Sequence, residues 1–230
     1  MDSLLTAARA AWDLLAGFDP EVWAVVWTSL RISSAAAALA AAAGVPLGMA
    51  IALTRFRGRG AVLLLLNTSM ALPTVVIGLF TYALIGRRGP LGSLGLLFTP
   101  SGIVLGEFLL ALPIAASYAL TAVQALDPRL FQTVRSLGAS RWQEAWVIVR
   151  EARFGMVVAL VASFGRTIAE VGVAMMLGGN IRGFTRTMTT AIALETSKGE
   201  FELGLALGAF LLAVALVVNA GLYALQREAR

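Results

Sequence analysis

The chain has 230 residues, 59% of them apolar and 13% charged, with a net charge of +5. Soluble domains run at about 45–50% apolar and about 25% charged, and here the excess falls in blocks long enough to cross a bilayer. There is no cysteine and no histidine, which excludes disulfides, thiolate nucleophiles, imidazole bases and the commonest metal ligands; no carboxylate cluster suggests a metal, and no basic run interleaved with aromatics suggests nucleic acid.

Residues 1–20 read as an interfacial helix, because Leu4, Leu5, Ala8, Ala11, Trp12 and Leu15 recur at helical spacing. They do not read as a cleaved leader: Asp2 precedes any positive charge, and Arg9 and Asp13 break the apolar run. Five spans follow, at about residues 32–53, 61–85, 103–125, 145–177 and 203–225. A crossing needs about 20 helical residues, so residues 21–55 are too many for one upright span. The first span therefore starts near Ile32, or else earlier at Val22, with Arg31 at an interface and Trp23 and Trp27 as belt residues. Gly44 and Gly48 share one helix face, as do Gly204 and Gly208, and such pairs let helix backbones approach closely in lipid. Pro46, Pro73 and Pro113 fall inside spans and imply kinks or breaks. The fourth span carries Arg166 and Glu170, so its far end leaves the lipid-facing environment. Residues 86–102 and 178–187 read as loops on one side, and the whole of 1–230 reads as a single membrane domain without repeats.

Loop charge gives the orientation. Ten basic residues (Arg55, Arg57, Arg59, Arg129, Arg135, Arg141, Arg150, Arg153, Arg227 and Arg230) lie on one side and six (Arg9, Arg87, Arg88, Arg182, Arg186 and Lys198) on the other. The richer side is cytoplasmic by the positive-inside rule, which puts the N-terminus outside and the C-terminus inside; Arg87 and Arg88 run against that bias.

The segment between the third and fourth spans, residues 127–143, is the most organised. Asp127 suits an N-cap and Pro128 the first helical position. Leu126 and Phe131 are spaced as a hydrophobic staple. Leu130, Phe131, Val134 and Leu137 make an apolar face, and Arg129, Gln132, Thr133, Arg135 and Ser136 a polar one. Gly138 stops the helix, and Ser140 with Gln143 forms a capping box that opens the next one. Spacing alone leaves two readings open: a helix lying on lipid with its arginines at head groups, or a projection toward a cytoplasmic partner.

These residues carry a resemblance. Leu137-Gly138-Ala139-Ser140, followed by Arg141-Trp142-Gln143, resembles the cytoplasmic coupling motif of ABC-importer permeases. Aligned on Gly138, that motif's Glu-Ala-Ala falls on Gln132, Thr133 and Val134, and its Leu-Pro on Arg150 and Glu151, so the flanks depart from it. Residues 44–48 (GVPLG) and 71–78 (ALPTVVIG) resemble the first two core spans of such permeases. Residues 89–100 and 178–187 (GGNIRGFTRT) resemble the molybdate and tungstate branch, and the stretch 165–199 is most similar to tungstate permeases. The resemblance implies an all-α integral membrane protein of the type I ABC-importer permease fold, with about five spans and a short cytoplasmic coupling helix. It implies a homodimer in the cell inner membrane, two copies of a separate ATPase carrying ATP and magnesium, and an extracytoplasmic oxyanion-binding protein. Asp127, Arg129, Gln132, Arg135, Gly138, Ala139, Ser140 and Arg141 are the residues expected at the ATPase. The chain itself has no phosphate-binding Gly-x-x-x-x-Gly-Lys-Ser/Thr run, and no cofactor of its own is expected.

Polar groups in or near spans are the candidates for the path. Arg166 and Glu170, one helical turn apart, either hold a positive charge toward a dianion or form a structural ion pair. Glu107 either hydrogen-bonds across helices or faces water. Asn180, Thr185, Arg186, Thr187, Thr189 and Thr190 supply donors suited to a tetrahedral oxyanion, or else cap a helix running from Thr187 to Gly199. Met175, Met176 and Leu177 offer an apolar constriction. Molybdate or sulfate are the alternative cargoes. An ion-coupled secondary transporter is the remoter alternative, and the absence of paired repeats and discontinuous helices in both halves speaks against it.

Overall fold

The computed structural model describes residue 13, residue 17 and residues 19–228, in which all extended secondary structure is helical. The interfacial helix expected at residues 1–20 lies largely outside the described residues. In chain order the helices are α1 (Pro20–Leu53), α2 (Arg59–Met70), α3 (Thr74–Ile85), α4 (Pro100–Gln124), α5 (Pro128–Ser136), α6 (Arg141–Glu151), α7 (Arg153–Ile168), α8 (Gly172–Gly178), α9 (Met188–Lys198) and α10 (Phe201–Glu228).

The helix that carries the first span begins at Pro20, twelve residues before Ile32 and close to the alternative start at Val22. Asp19 caps α1, its carboxylate accepting from the Glu21 and Val22 amides at 2.9 and 3.1 Å, with Pro20 in the first turn. Helix formation therefore starts at Pro20 and runs through Arg31, which is exposed on its side. Thirty-four residues rise about 51 Å, more than the roughly 30 Å apolar core, so α1 tilts or projects. Trp23 is packed edge-on against Phe210 of α10 at 5.4 Å between ring centres, whereas Trp27 stays exposed.

α1 packs most extensively on α4, and glycine makes the crossing possible. A Cβ on Gly48 would lie 2.2 Å from the Ala116 carbonyl oxygen, and one on Gly44 2.7 Å from the Ala115 Cβ. The second glycine pair differs: a Cβ on Gly204 would come no nearer than 3.8 Å to Thr196, and one on Gly208 would meet nothing within 4 Å. Close helix contact inside the chain is thus made by Gly44 and Gly48 alone of the four.

Two spans are broken, one in each half of the chain, so the expectation of no discontinuous helices fails and that feature no longer speaks against an ion-coupled transporter. α2 and α3 are bent by 101° around residues 71–73, where Pro73 precedes α3. α7 and α8 are bent by 65° at residues 169–171, with no proline. Pro46 and Pro113, in contrast, lie inside uninterrupted helices. Counting each bent pair as one crossing, the described chain has up to five spans. The two ends of the molecule follow from the ends of α1: Glu21 meets Arg182 and Arg186 at one end, and Met49 packs with Ile148, Ala152 and Phe131 at the other.

Candidate functional site: a capped surface helix and a clamped buried one

The surface helix is α5. The Asp127 carboxylate accepts from the Arg129 amide at 2.8 Å. Leu126 and Phe131 both pack on the buried group of Met49, Val123, Ile148 and Ala152, which holds the helix against the ends of α1, α4 and α6. Gly138 has φ +75°, a left-handed turn with open space around its Cα. The Gly138 and Ala139 amides donate back to the Arg135 and Val134 carbonyls at 3.0 and 3.3 Å, and Ser140 and Gln143 cap α6 reciprocally. Arg129, Gln132 and Arg141 are exposed.

Two features of this end depart from the sequence reading. Leu137 does not join the packed face: it is 80% exposed, and Trp142 and Trp146 beyond it are 87% and 65% exposed. Leu137 is the C-cap of α5 and lies one step past the turn that could fold it onto the bundle. Arg135 is also not free. Its Nε and Nη2 donate to Glu144 Oε1 at 2.9 and 2.8 Å, fastening α5 to α6; that hydrogen bond, and the charge behind it, hold its guanidinium pKa above the ordinary arginine value. Sequence spacing had no means of pairing positions nine apart across a turn.

The buried helix is α8, seven residues long and fixed at both ends. At its start, Glu170 Oε1 accepts from the Val173 amide at 3.1 Å, while Oε2 accepts from Arg166 Nη1 at 2.9 Å. Thr189 Oγ1 donates to the Glu170 carbonyl at 2.7 Å. At its far end, the Leu177 carbonyl accepts from the Phe98 amide at 2.8 Å and the Gly178 carbonyl from Thr185 Oγ1 at 2.6 Å. Along its length it fits glycine notches: a Cβ on Gly106 would lie 2.4 Å from Leu177 Cδ1, and one on Gly78 2.9 Å from Met176 Sδ. Glu170 is buried, its side chain 3% exposed, while that of Arg166 is 35% exposed and keeps donors unused by the pair.

The remaining donors expected on the path are directed into the protein, and all but Arg186 Nε, which is buried without a hydrogen-bond partner among the described residues, are engaged there. Thr185 is fully buried, and its Oγ1 also accepts from the Ile181 amide at 3.0 Å. Thr187 caps α9 through a reciprocal box with Thr190, and Gly199, at φ +81°, stops that helix. Asn180 accepts from Thr190 Oγ1 at 2.9 Å. Arg186 faces Glu21 and Glu195 at 3.6 and 3.8 Å, with its side chain 12% exposed. These four side chains frame the loop and turn no free hydroxyl or amide outward. Met175 and Met176 are half-buried, and Leu177 is buried.

A buried polar seam between α1, α4, α7 and α9 went unread in the sequence except at Glu107. Ser29 Oγ accepts from the Met188 amide at 2.7 Å. The Ser33 carbonyl accepts from Thr167 Oγ1 at 3.3 Å, and the Ser33 hydroxyl hydrogen-bonds the Glu107 carboxyl. One oxygen of that carboxyl is left without a partner.

Comparison with known proteins puts these features in context. The family model described as "binding-protein-dependent transport system inner membrane component" matches residues 44–230. The chain is 42% identical to a tungstate uptake system permease protein of Campylobacter jejuni, over 95% of this chain and 92% of that protein. It is 36% identical to the corresponding protein of Peptoclostridium acidaminophilum, over 99% and 100%. Among solved structures, it superposes with a TM-score of 0.75, at 18% identity, on a bacterial alginate ABC transporter crystallised with an alginate-bound periplasmic protein, covering 99% of this chain and 88% of that one.

Proposed function

The chain belongs to the family of binding-protein-dependent transport system inner membrane components, and from that membership we propose that it is the membrane-spanning permease of an ATP-driven importer for a tetrahedral oxyanion, with tungstate as the cargo. The observation that carries the cargo is the 42% and 36% identity to two tungstate uptake permeases over nearly the whole chain. Molybdate and sulfate share the charge and shape of tungstate and are the competing cargoes. The whole of 1–230 acts as one permease domain, with residues 127–143 as its cytoplasmic coupling segment.

The mechanism follows from the two clamped helices. α5 is a short rigid lever: capped by Asp127, stapled by Leu126 and Phe131, and bolted to α6 by Arg135 and Glu144. A separate ATPase, carrying ATP and magnesium, grips Arg129, Gln132, Gly138, Ala139, Ser140 and Arg141, with Leu137 and Trp142 as the apolar part of the contact. This reading places the α5 end in the cytoplasm, with the N-terminus outside and the C-terminus inside. Movement of α5 passes through the Met49, Ile148 and Ala152 packing into α1 and α6, and from α7 to the break at residues 169–171. There Glu170 holds Arg166, whose unused donors present positive potential to a passing dianion, while Met175 and Met176 on α8 form the apolar constriction. Weak contact suffices for conduction. Asn180, Thr185, Arg186 and Thr187 serve as the framework around it.

A second copy completes the path. The α2–α3 unit exposes Leu64, Leu65, Val75, Val76, Leu79 and Phe80 and borders an apolar groove of 570 Å³, a surface suited to the homodimer that this reading requires. The decisive test is uptake by vesicles containing the permease and its ATPase. Radiolabelled tungstate should enter in preference to sulfate, and only with ATP and the anion-binding protein; uptake without ATP would sink the mechanism.

A further inference from the structure

The outer arginines differ in how they are held. Arg182 and Arg186 face the Glu21 carboxylate. Arg87 and Arg88 are exposed and, among the described residues, have no carboxylate partner. They stand in a loop that runs from the end of α3 to α4 and is built to keep its shape. A Cβ on Gly89 would lie 2.2 Å from the Ala83 carbonyl oxygen, and one on Gly92 2.5 Å from that of Gly86. The Leu91 amide donates to the Leu84 carbonyl at 2.9 Å. So the loop backbone lies directly on the last turn of α3, and only glycine permits it.

The same loop reaches α8. Phe98 has φ +60°, a left-handed conformation costly for a bulky side chain. That conformation lets its amide hydrogen-bond the Leu177 carbonyl and puts its ring against Gly179, where a Cβ would come within 2.9 Å of it. Backbone strain of this kind persists only where surrounding contacts over-determine it. The arginine-bearing loop is therefore in rigid contact with both α3 and α8, the two half-helices that pack on each other.

We propose that this loop is the docking surface for an acidic patch on the anion-loaded binding protein, with Arg87 and Arg88 as the contacts and Phe98 as the residue that passes docking on to α8. The inference rests on the importer reading above. Uncompensated positive charge, retained against the positive-inside bias, fits an acidic protein surface. A cavity of 620 Å³ lies beside the arginines, lined also by Tyr82, Leu97 and Phe98.

The test uses the permease–ATPase complex in neutral phosphatidylcholine nanodiscs. ATP hydrolysis is followed against the concentration of tungstate-loaded binding protein. Arg87→Gln with Arg88→Gln should raise the half-maximal concentration about tenfold and flatten its salt dependence, since rim charges act on encounter; the maximal rate should hold. Arg87→Lys with Arg88→Lys should stay near wild type, whereas a structural need for guanidinium would not be met by lysine. Phe98→Gly, which suits the backbone, should keep the half-maximal concentration and lower the maximal stimulation. An unchanged half-maximal concentration in the Gln pair overturns the proposal. So does a Lys pair as impaired as the Gln pair, an effect seen only with anionic lipid, or a loss of direct tungstate binding measured without the binding protein. Absence of any stimulation in the wild type would instead defeat the importer reading itself.

Discussion

Gly138 and Glu170 show how much single positions carry. Gly138 occupies a left-handed turn with open space around it, so Gly138→Arg meets no clash and costs roughly 1–2 kcal/mol of backbone strain. The variant should fold and insert, but lose coupling, because a long cation is placed on the surface offered to the ATPase; ATP-driven uptake at the wild-type rate would count against that role. At the break in the fourth span, the pair Arg166→Gln with Glu170→Gln keeps an acceptor for the Val173 amide and removes both charges. Its thermal stability should change little, since a paired charge gains only modestly over neutral replacements, while tungstate uptake should fall at least tenfold if Arg166 serves the anion. Undiminished uptake would leave the pair purely structural. Capping residues were legible in the sequence because their signals are local: Asp127-Pro128, Ser140 with Gln143 and Thr187 with Gly199 all stand where the structure has them. Arg135 and Glu144, or Ser33 and Glu107, meet across separate helices, and no spacing rule reaches them.

Among the elements, the two interrupted spans have different causes. Pro73 announces the first, since it cannot continue the preceding helix. The second has no helix breaker of that kind; it depends on a buried carboxylate that caps a fresh start, which is visible only once Arg166, Val173 and Thr189 surround Glu170. The start of α1 is set by a local signal, not by span length. Asp19-Pro20 opens α1 with the same Asp-Pro cap that opens α5 at Asp127-Pro128, so the helix begins well before the length of one upright crossing requires. The α1–α4 crossing supplies a test at this scale. Gly48→Leu forces two backbones apart and should cost about 3 kcal/mol or more, read as a lower unfolding temperature in detergent. Gly208→Leu, with open space around it within the chain, should leave that temperature nearly unchanged.

At the level of the whole molecule, the apolar surface is divided between two tasks. α10 exposes Leu212, Leu216 and Val217, as a helix against lipid does. The α2–α3 unit exposes a comparable apolar face, but beside the bent pair α7–α8 at the proposed path, where lipid would block transport. Two copies of the chain with two ATPases should therefore be recovered from mild detergent, and native mass measurement reading a 1:1 complex would contradict the paired path. Composition made the membrane class legible at once, because hydropathy is additive along the chain. The proposed assembly comes from the resemblance alone, because a partner surface carries no period of its own.

Trp142 and Trp146 stand exposed beyond the Gly138 turn, while Trp23 is packed at the opposite end of α1 against Phe210. With the exposed Trp27 replaced by Phe, the protein would carry an optical reporter at the end proposed to meet the ATPase. Engagement should move the indole emission to shorter wavelength and shield it from iodide, so that the docking cycle can be followed in real time without attaching a dye.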